Sequence, residues 1–178
     1  MSQNTQQLPV AVVTGGTSGI GLAIARALLH DHLVYVVGRR PVEEGSDDHS
    51  SMIQVSLDIR DNRALSEFVD TLPRLDVLVH SAAVARAYRV SSSPVVVSQQ
   101  HFSFNLFSPA HLTPLELQNL RVSRSQITFF NSCSGSYSLA CCTSFFVFSF
   151  LFFMKENEKK ITCKTKSILD IQNYFIHT

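Results

Sequence analysis

Tryptophan is absent from the 178 residues and charge is scarce, at 16% of the chain against a hydrophobic content of 45%. So much apolar material with so little charge excludes a generally disordered chain. Neither sign dominates: 15 Lys and Arg face 14 Asp and Glu, and a net charge of +1 leaves no electrostatic footprint for nucleic acid. Cysteine is confined to positions 133, 141, 142 and 163, with no C-x-x-C spacing, so neither a zinc site nor a disulfide scaffold is expected. The histidines, at 30, 32, 49, 80, 101, 111 and 177, fall at no metal-ligand spacing, and His80 alone is expected to face a ligand edge. The opening MSQNTQQLPV has no basic stretch leading into an apolar one. No secretory signal is therefore expected, and a reducing cytoplasmic setting is the default. A mass of 19.8 kDa suits one domain with a real core.

Lysine is missing from the first 154 residues. All ten arginines lie at or before Arg124, and all five lysines at or after Lys155. Shuffled at random, 15 cations would segregate this way roughly once in 3000 trials, on composition alone. Gly135 is the last glycine, Pro114 the last proline, and six of the 13 phenylalanines crowd into Phe145–Phe153. The chain therefore reads as two segments, 1–138 and 139–178.

The first segment alternates two rhythms. LPVAVVT (8–14), LVYVV (33–37), MIQVSL (52–57), LDVLVH (75–80) and SQITFFNS (125–132) read as strands. Between the first two, IGLAIARALLH places Ile20, Ala23, Ile24, Ala27 and Leu28 at helical spacing. DNRALSEFVDTL opens on a capping Asp61 and carries Leu65, Phe68, Val69 and Leu72 on one face. VVVSQQHFSFNLFSPAHLTPLELQNL reads as a long irregular helix that Pro109 and Pro114 must bend, interrupt or end. Residues 41–51 and 91–94 are loops by composition. Strands alternating with helices imply an α/β fold, a Rossmann-like doubly wound parallel sheet whose carboxyl edge binds ligands.

Thr14-Gly15-Gly16-Thr17-Ser18-Gly19-Ile20-Gly21 falls between a strand and a helix, the context that a dinucleotide fingerprint requires. Glycines there permit a tight turn and bring backbone N–H groups to a pyrophosphate at the positive helix end. The alternative is a plain strand-to-helix connection. With these residues the chain resembles the short-chain dehydrogenases/reductases over about residues 8–138. In that resemblance Gly15, Thr17, Ser18, Gly19, Ile20 and Gly21 form the cofactor loop, and Leu57-Asp58-Ile59 is the acidic turn, with Asp58 the adenine's hydrogen-bond partner. DVLVHSAA is similar to a strand ending in Asn-Asn-Ala-Gly, replaced here by His80, Ser81, Ala82 and Ala83. Asn105 matches a helix asparagine that organises a catalytic water. Ser132, three residues before Gly135, matches the catalytic serine.

Cofactor choice has a local argument. An acidic residue after the second strand binds a ribose 2′-hydroxyl and repels a 2′-phosphate, but Gly38-Arg39-Arg40 stands there instead. A guanidinium suits bidentate phosphate binding, so NADP(H) is expected over NAD(H), with Arg39 at the 2′-phosphate. Two solvated loop charges are the other reading.

One element is missing. The resemblance implies a Tyr-x-x-x-Lys pair for proton transfer, with the lysine lowering the tyrosine pKa. Four residues beyond Tyr35, Tyr88, Tyr137 and Tyr174 stand Arg39, Ser92, Cys141 and Thr178. The expected function is therefore an NADP(H)-dependent oxidoreductase of this family, reducing carbonyls or oxidising alcohols, impaired by loss of that pair. The alternatives are a catalytically inactive nucleotide-binding or membrane-associated interaction protein, or a non-functional truncated product.

The second segment opens with 16 uncharged residues, 139–154, followed by lysines. This is slightly short of the ~18–20 residues of a bilayer span, yet membrane association through it is one reading. A buried helix is another. The favoured reading is that Phe, Ser and Leu runs, then Lys, Ile, Asn and Thr, translate a non-coding stretch, making the chain a truncated or mis-spliced family member. The sheet is then incomplete at its C-terminal side, and its fifth strand becomes an apolar edge unless the Phe-rich segment covers it. An oligomer is compatible with such an edge. No metal is expected.

Overall fold

The computed structural model describes residues 8–42, 52–84, 95–122, 126–131 and 162–167. Strands β1 (Val10–Thr14), β2 (Leu33–Gly38), β3 (Met52–Ser56), β4 (Val77–His80), β5 (Gln126–Asn131) and β6 (Thr162–Ser167) form one sheet in the order β3-β2-β1-β4-β5-β6. Every pairing is parallel, with Ala11 opposite Val34 on one side and opposite Val77 on the other. The order reverses at β1, so the crossovers to β2 and to β4 leave in opposite directions. Such a switch point opens a crevice at the carboxyl ends of the strands.

Side-chain alternation divides the core into two layers. Val10 and Val12 of β1 join Leu78, Leu65, Phe68, Val69 and Leu112 on one face of the sheet. Ala11 and Val13 join Val34, Val36, Val79, Leu22 and Ala25 on the other. Successive strand residues point to opposite faces, and β1 is buried on both, which is why it reads as an unbroken apolar run. Helix α1 (Gly19–Leu28) covers the second face, while α2 (Asn62–Thr71) and a long helical stretch from Val95 to Val122 cover the first.

The helix α2 face is the one its spacing predicts: Leu65, Phe68, Val69 and Leu72 are all buried. The α1 face differs. Gly21, Leu22 and Ala25 are buried, whereas Ile20 is 40% exposed and Ala27 lies outside. A Cβ at Gly21 would run into the Gly15 carbonyl oxygen, so close helix–loop contact buries the Gly21 side of α1, while Ile24 and Leu28 pack partly buried against the same core.

Neither proline ends the long helix. It runs as α3 (Val95–Phe102), a π-helical turn (Ser103–Phe107) and α4 (Ser108–Val122), with Pro114 inside the last. The irregularity takes the form of the π turn, where the Ser108 N–H reaches back five residues to the Ser103 carbonyl. Beyond it, the Thr113 hydroxyl donates to the Pro109 carbonyl at 2.8 Å, one turn below.

The sheet edge differs from expectation as well. β5 is not an edge: β6, from the lysine-bearing part of the second segment, pairs along its whole length from Gln126↔Thr162 to Asn131↔Ser167. The Phe-rich run does not overlap the described residues, nor does Ser132.

Candidate functional site

The crevice at the carboxyl edge begins with the turn after β1. Gly15 takes φ +68°, and a Cβ on it would lie 2.7 Å from the Ala82 Cα, so only glycine fits between β1 and the β4 exit. Its N–H donates to the Val37 carbonyl at 2.8 Å, tying the turn to β2. Thr17 is buried, with its methyl and hydroxyl against Gly38, where a Cβ would lie 2.8 Å from either. Of the loop residues expected to meet a cofactor, Thr17 and Gly21 therefore face the protein.

Ser18, Gly19 and Ile20 face the other way. Ser18 is the N-cap residue of α1, in extended conformation, and its side chain makes no capping hydrogen bond. Gly19 takes φ +54°, and a Cβ there would meet nothing within 4 Å. The positive end of α1 is thus presented without a side-chain acceptor or any acidic residue in its first turn. A helix start in this state is suited to an anion.

Beside it, at the ends of β2 and β3, two arginines and a carboxylate gather on one aromatic ring. The guanidinium carbons of Arg39 and Arg60 lie 4.9 and 4.4 Å from the centroid of the Phe104 ring. Asp58 Oδ1 accepts from the Arg60 backbone N–H and from its Nε, each at 3.0 Å, and Oδ2 accepts from Nη2 at 2.5 Å. This Arg60 hydrogen bonding holds the Asp58 carboxyl below its ordinary range, with burial opposing it. Arg39 Nη1 stands farther off, 3.9 Å from Asp58 Oδ2, on a side chain 56% exposed. Most of Asp58's acceptor capacity is thus spent on Arg60, a partner that the sequence pattern did not single out. Phe104 was also missed, because a buried aromatic at helical spacing carries no mark of what lies over it.

Two further residues are settled by their hydrogen bonds. The Asn105 side chain accepts from the Val84 N–H and donates to the Val84 carbonyl, both at 2.9 Å. That amide fastens the β4 exit to the π turn, so its side chain positions backbone at the carboxyl edge. His80 ends β4, but period-two alternation puts it on Leu78's face, beneath α4. It is 5% exposed and stacks on Phe129 at 4.6 Å, so its expected orientation toward the ligand edge is corrected to a buried structural one. Its Nε2 lies 3.0 Å from the Thr113 hydroxyl, whose own proton goes to the Pro109 carbonyl. His80 Nε2 is therefore the donor, which fixes the neutral ring's proton there. Burial pushes its pKa down to about 3.

The sequence model of the short chain dehydrogenase family matches residues 9–145. The chain belongs to this family. It is 30% identical over 136 residues to a probable short-chain type dehydrogenase/reductase from Helicobacter pylori, covering 73% of this chain and 50% of that one. It is 31% identical over 142 residues to a probable NADP-dependent dehydrogenase from Haemophilus influenzae, covering 73% and 56%. Among solved structures, a short-chain dehydrogenase/reductase from Saccharomyces cerevisiae superposes with a TM-score of 0.77 at 21% identity, over 90% of this chain and 70% of that one. The latter likeness shows the fold. The chain spans about half the length of the curated relatives it matches. Among its described residues no helix is long and apolar enough to cross a membrane, and the run at 139–154 lies outside them.

Proposed function

We propose that this chain binds NADP(H) at the carboxyl edge of its sheet and carries the cofactor half of a carbonyl-reducing or alcohol-oxidising enzyme. The observation that carries the reading is the uncapped start of α1 at Ser18–Gly19, with the exposed Arg39 beside it at the end of β2. The Gly19 and Ile20 amides and the helix end would hold the pyrophosphate, with Gly15 and Gly21 shaping the turn. Arg39 would take the 2′-phosphate, and Asp58, at the end of β3, would border the adenine. The name of the Haemophilus relative supports NADP(H), as does a 20% identical structural neighbour described with NADP bound. A cytoplasmic setting accords with such a cofactor.

When bound, the nicotinamide supplies a hydride to a carbonyl carbon or accepts one from an alcohol. The residual chemistry is the proton on the substrate oxygen. Ser132 is the candidate to polarise that oxygen, and Asn105 would act only by holding the β4 exit in place. No Tyr-x-x-x-Lys pair occurs within the 178 residues, so no tyrosine here has a lysine four residues on to assist it in proton transfer. The chain is therefore proposed to bind cofactor with hydride transfer impaired, and the small-molecule carbonyl or alcohol substrate stays at the level of class.

The test is fluorescence titration with NADPH alongside NADPH consumption over a panel of ketones and aldehydes. Saturable binding with turnover near background supports the proposal. Turnover that Ser132→Ala abolishes would instead make the chain a competent reductase, and failure to bind any nucleotide would overturn the reading.

A further inference from the structure

The cluster on Phe104 holds one carboxylate between two guanidinium groups and treats them unequally. Asp58 is gripped by Arg60 through Nε to Oδ1 at 3.0 Å, Nε to Oδ2 at 3.2 Å, Nη2 to Oδ2 at 2.5 Å and the backbone N–H to Oδ1 at 3.0 Å. The two residues are only two apart, so a local turn and a planar fork hold the carboxylate together. Arg39 is in ion-pair range of the same Oδ2 at 3.9 Å, beyond hydrogen-bond distance. The ring of Phe104 lies against both cations, and this shared platform keeps Arg39 in the neighbourhood of Asp58 whether or not the two are bonded.

A carboxylate this close to Arg39 competes with any phosphate that Arg39 is meant to bind. It can neutralise the guanidinium, and it repels a second anion placed beside it. Arg60 opposes both effects: it engages both oxygens of Asp58 and balances its charge. With Asp58 compensated by Arg60, the net positive charge of the three groups is the one on Arg39.

We propose that Arg60 sets the nucleotide preference of this site by holding Asp58 away from Arg39, leaving that guanidinium available to a ribose 2′-phosphate. Arg60 is a positioning residue here and acts through Asp58. The inference rests on the NADP(H) reading above and deepens it, since the sequence argument for that cofactor involves Arg39 alone. It also gives the Asp58–Arg60 pair a role that its stability contribution does not require, because an ion pair this exposed contributes little to folding.

The experiment measures dissociation constants of NADPH and NADH by fluorescence titration for the wild-type chain, Arg60→Ala, and Asp58→Asn with Arg60→Ala. Thermal shifts with adenosine 2′,5′-bisphosphate and 5′-AMP, which carry the phosphate difference without the nicotinamide, repeat the comparison. Arg60→Ala is expected to weaken NADPH by about tenfold while leaving NADH within about twofold, the scale of one charge-assisted contact. The double variant is expected to restore most of the NADPH:NADH ratio, because the neutral amide no longer competes for Arg39. Equal weakening of both nucleotides in Arg60→Ala would mean a merely structural role and overturn the inference. So would a double variant whose ratio stays low. A wild-type chain that prefers NADPH, with a ratio Arg60→Ala leaves unchanged, sinks this inference and spares the cofactor reading. A wild-type chain that binds neither nucleotide sinks both.

Discussion

Helix α2 satisfies its own first turn, with Asp61 Oδ1 accepting the Arg63 and Ala64 amides at 3.1 Å, whereas α1 starts at Ser18 with no side-chain cap at all. Both helices follow strands of one parallel sheet, so both begin at its carboxyl edge and direct the positive end of a helix dipole there. The difference lies in what meets that end. At α2 a carboxylate from the chain itself takes the place of an external anion. At α1 the same position is filled by a serine in extended conformation, flanked by a glycine whose missing Cβ leaves open space. Capping is the ordinary solution for a helix start, and a start left uncapped is suited to an anion.

The largest effect is expected for Gly21→Ala, because the new Cβ would run into the Gly15 carbonyl oxygen and force the loop and α1 apart. A loss of about 3 kcal/mol is expected on the scale of overpacked sites, with loss of nucleotide binding as well, read by urea denaturation and titration. Unchanged stability would show that α1 does not need its close approach to the loop.

Next in size is His80, which lies under α4 away from either helix start. Its folded pKa of about 3 lies below the ordinary 6.5, so the folded state keeps the ring neutral while the unfolded state takes up a proton below 6.5. Stability is therefore expected to fall as pH drops from 6.5 toward 3, by about 2 kcal/mol between pH 7 and pH 5 from this group. His80→Gln should remove that increment relative to wild type in denaturation curves at the two pH values. Parallel losses in both proteins would contradict the buried neutral ring.

The smallest effects sharpen the contrast most. Asp61→Ala is expected to cost about 1 kcal/mol, the usual value of an N-cap carboxylate, measured by urea denaturation. Ser18→Ala should change stability by less than ~0.5 kcal/mol, because its side chain caps nothing. A loss at Ser18 as large as at Asp61 would mean that the α1 start is closed in solution.

Much of this was legible in the residues. The five strands were visible as short apolar runs, and Asp61 and the buried face of α2 followed from capping chemistry and helical spacing. The glycine loop located the crevice. Three things were less visible, two of them because tertiary contact outweighed a local rule. Ile20 fits a helical stripe, but the Gly21–Gly15 contact buries the glycine side of α1 and leaves Ile20 exposed while Ile24 and Leu28 still pack on the core. Pro109 and Pro114 argue for a bend, an interruption or an end, and the structure interrupts the α-helix with a π turn just before Pro109 and carries Pro114 inside α4. The strand at Thr162–Ser167 has no apolar alternation to announce it, and its pairing with β5 is a property of the sheet rather than of its own residues. At the site, Arg39 and Asp58 stood out by position, while Arg60 and Phe104 could be placed only by geometry.

We propose that the open start of α1 and the arginine at the end of β2 together form an NADP(H) site. The most direct test is titration of the intact chain, and of Arg39→Ala with Arg40→Ala, with NADPH and NADH in parallel. NADPH is expected to bind the wild-type chain about tenfold or more tighter than NADH, as one charge-assisted phosphate contact requires, and the variant to lose that difference while keeping NADH. Equal losses for both nucleotides in the variant, or no binding of either by the wild-type chain, would contradict it.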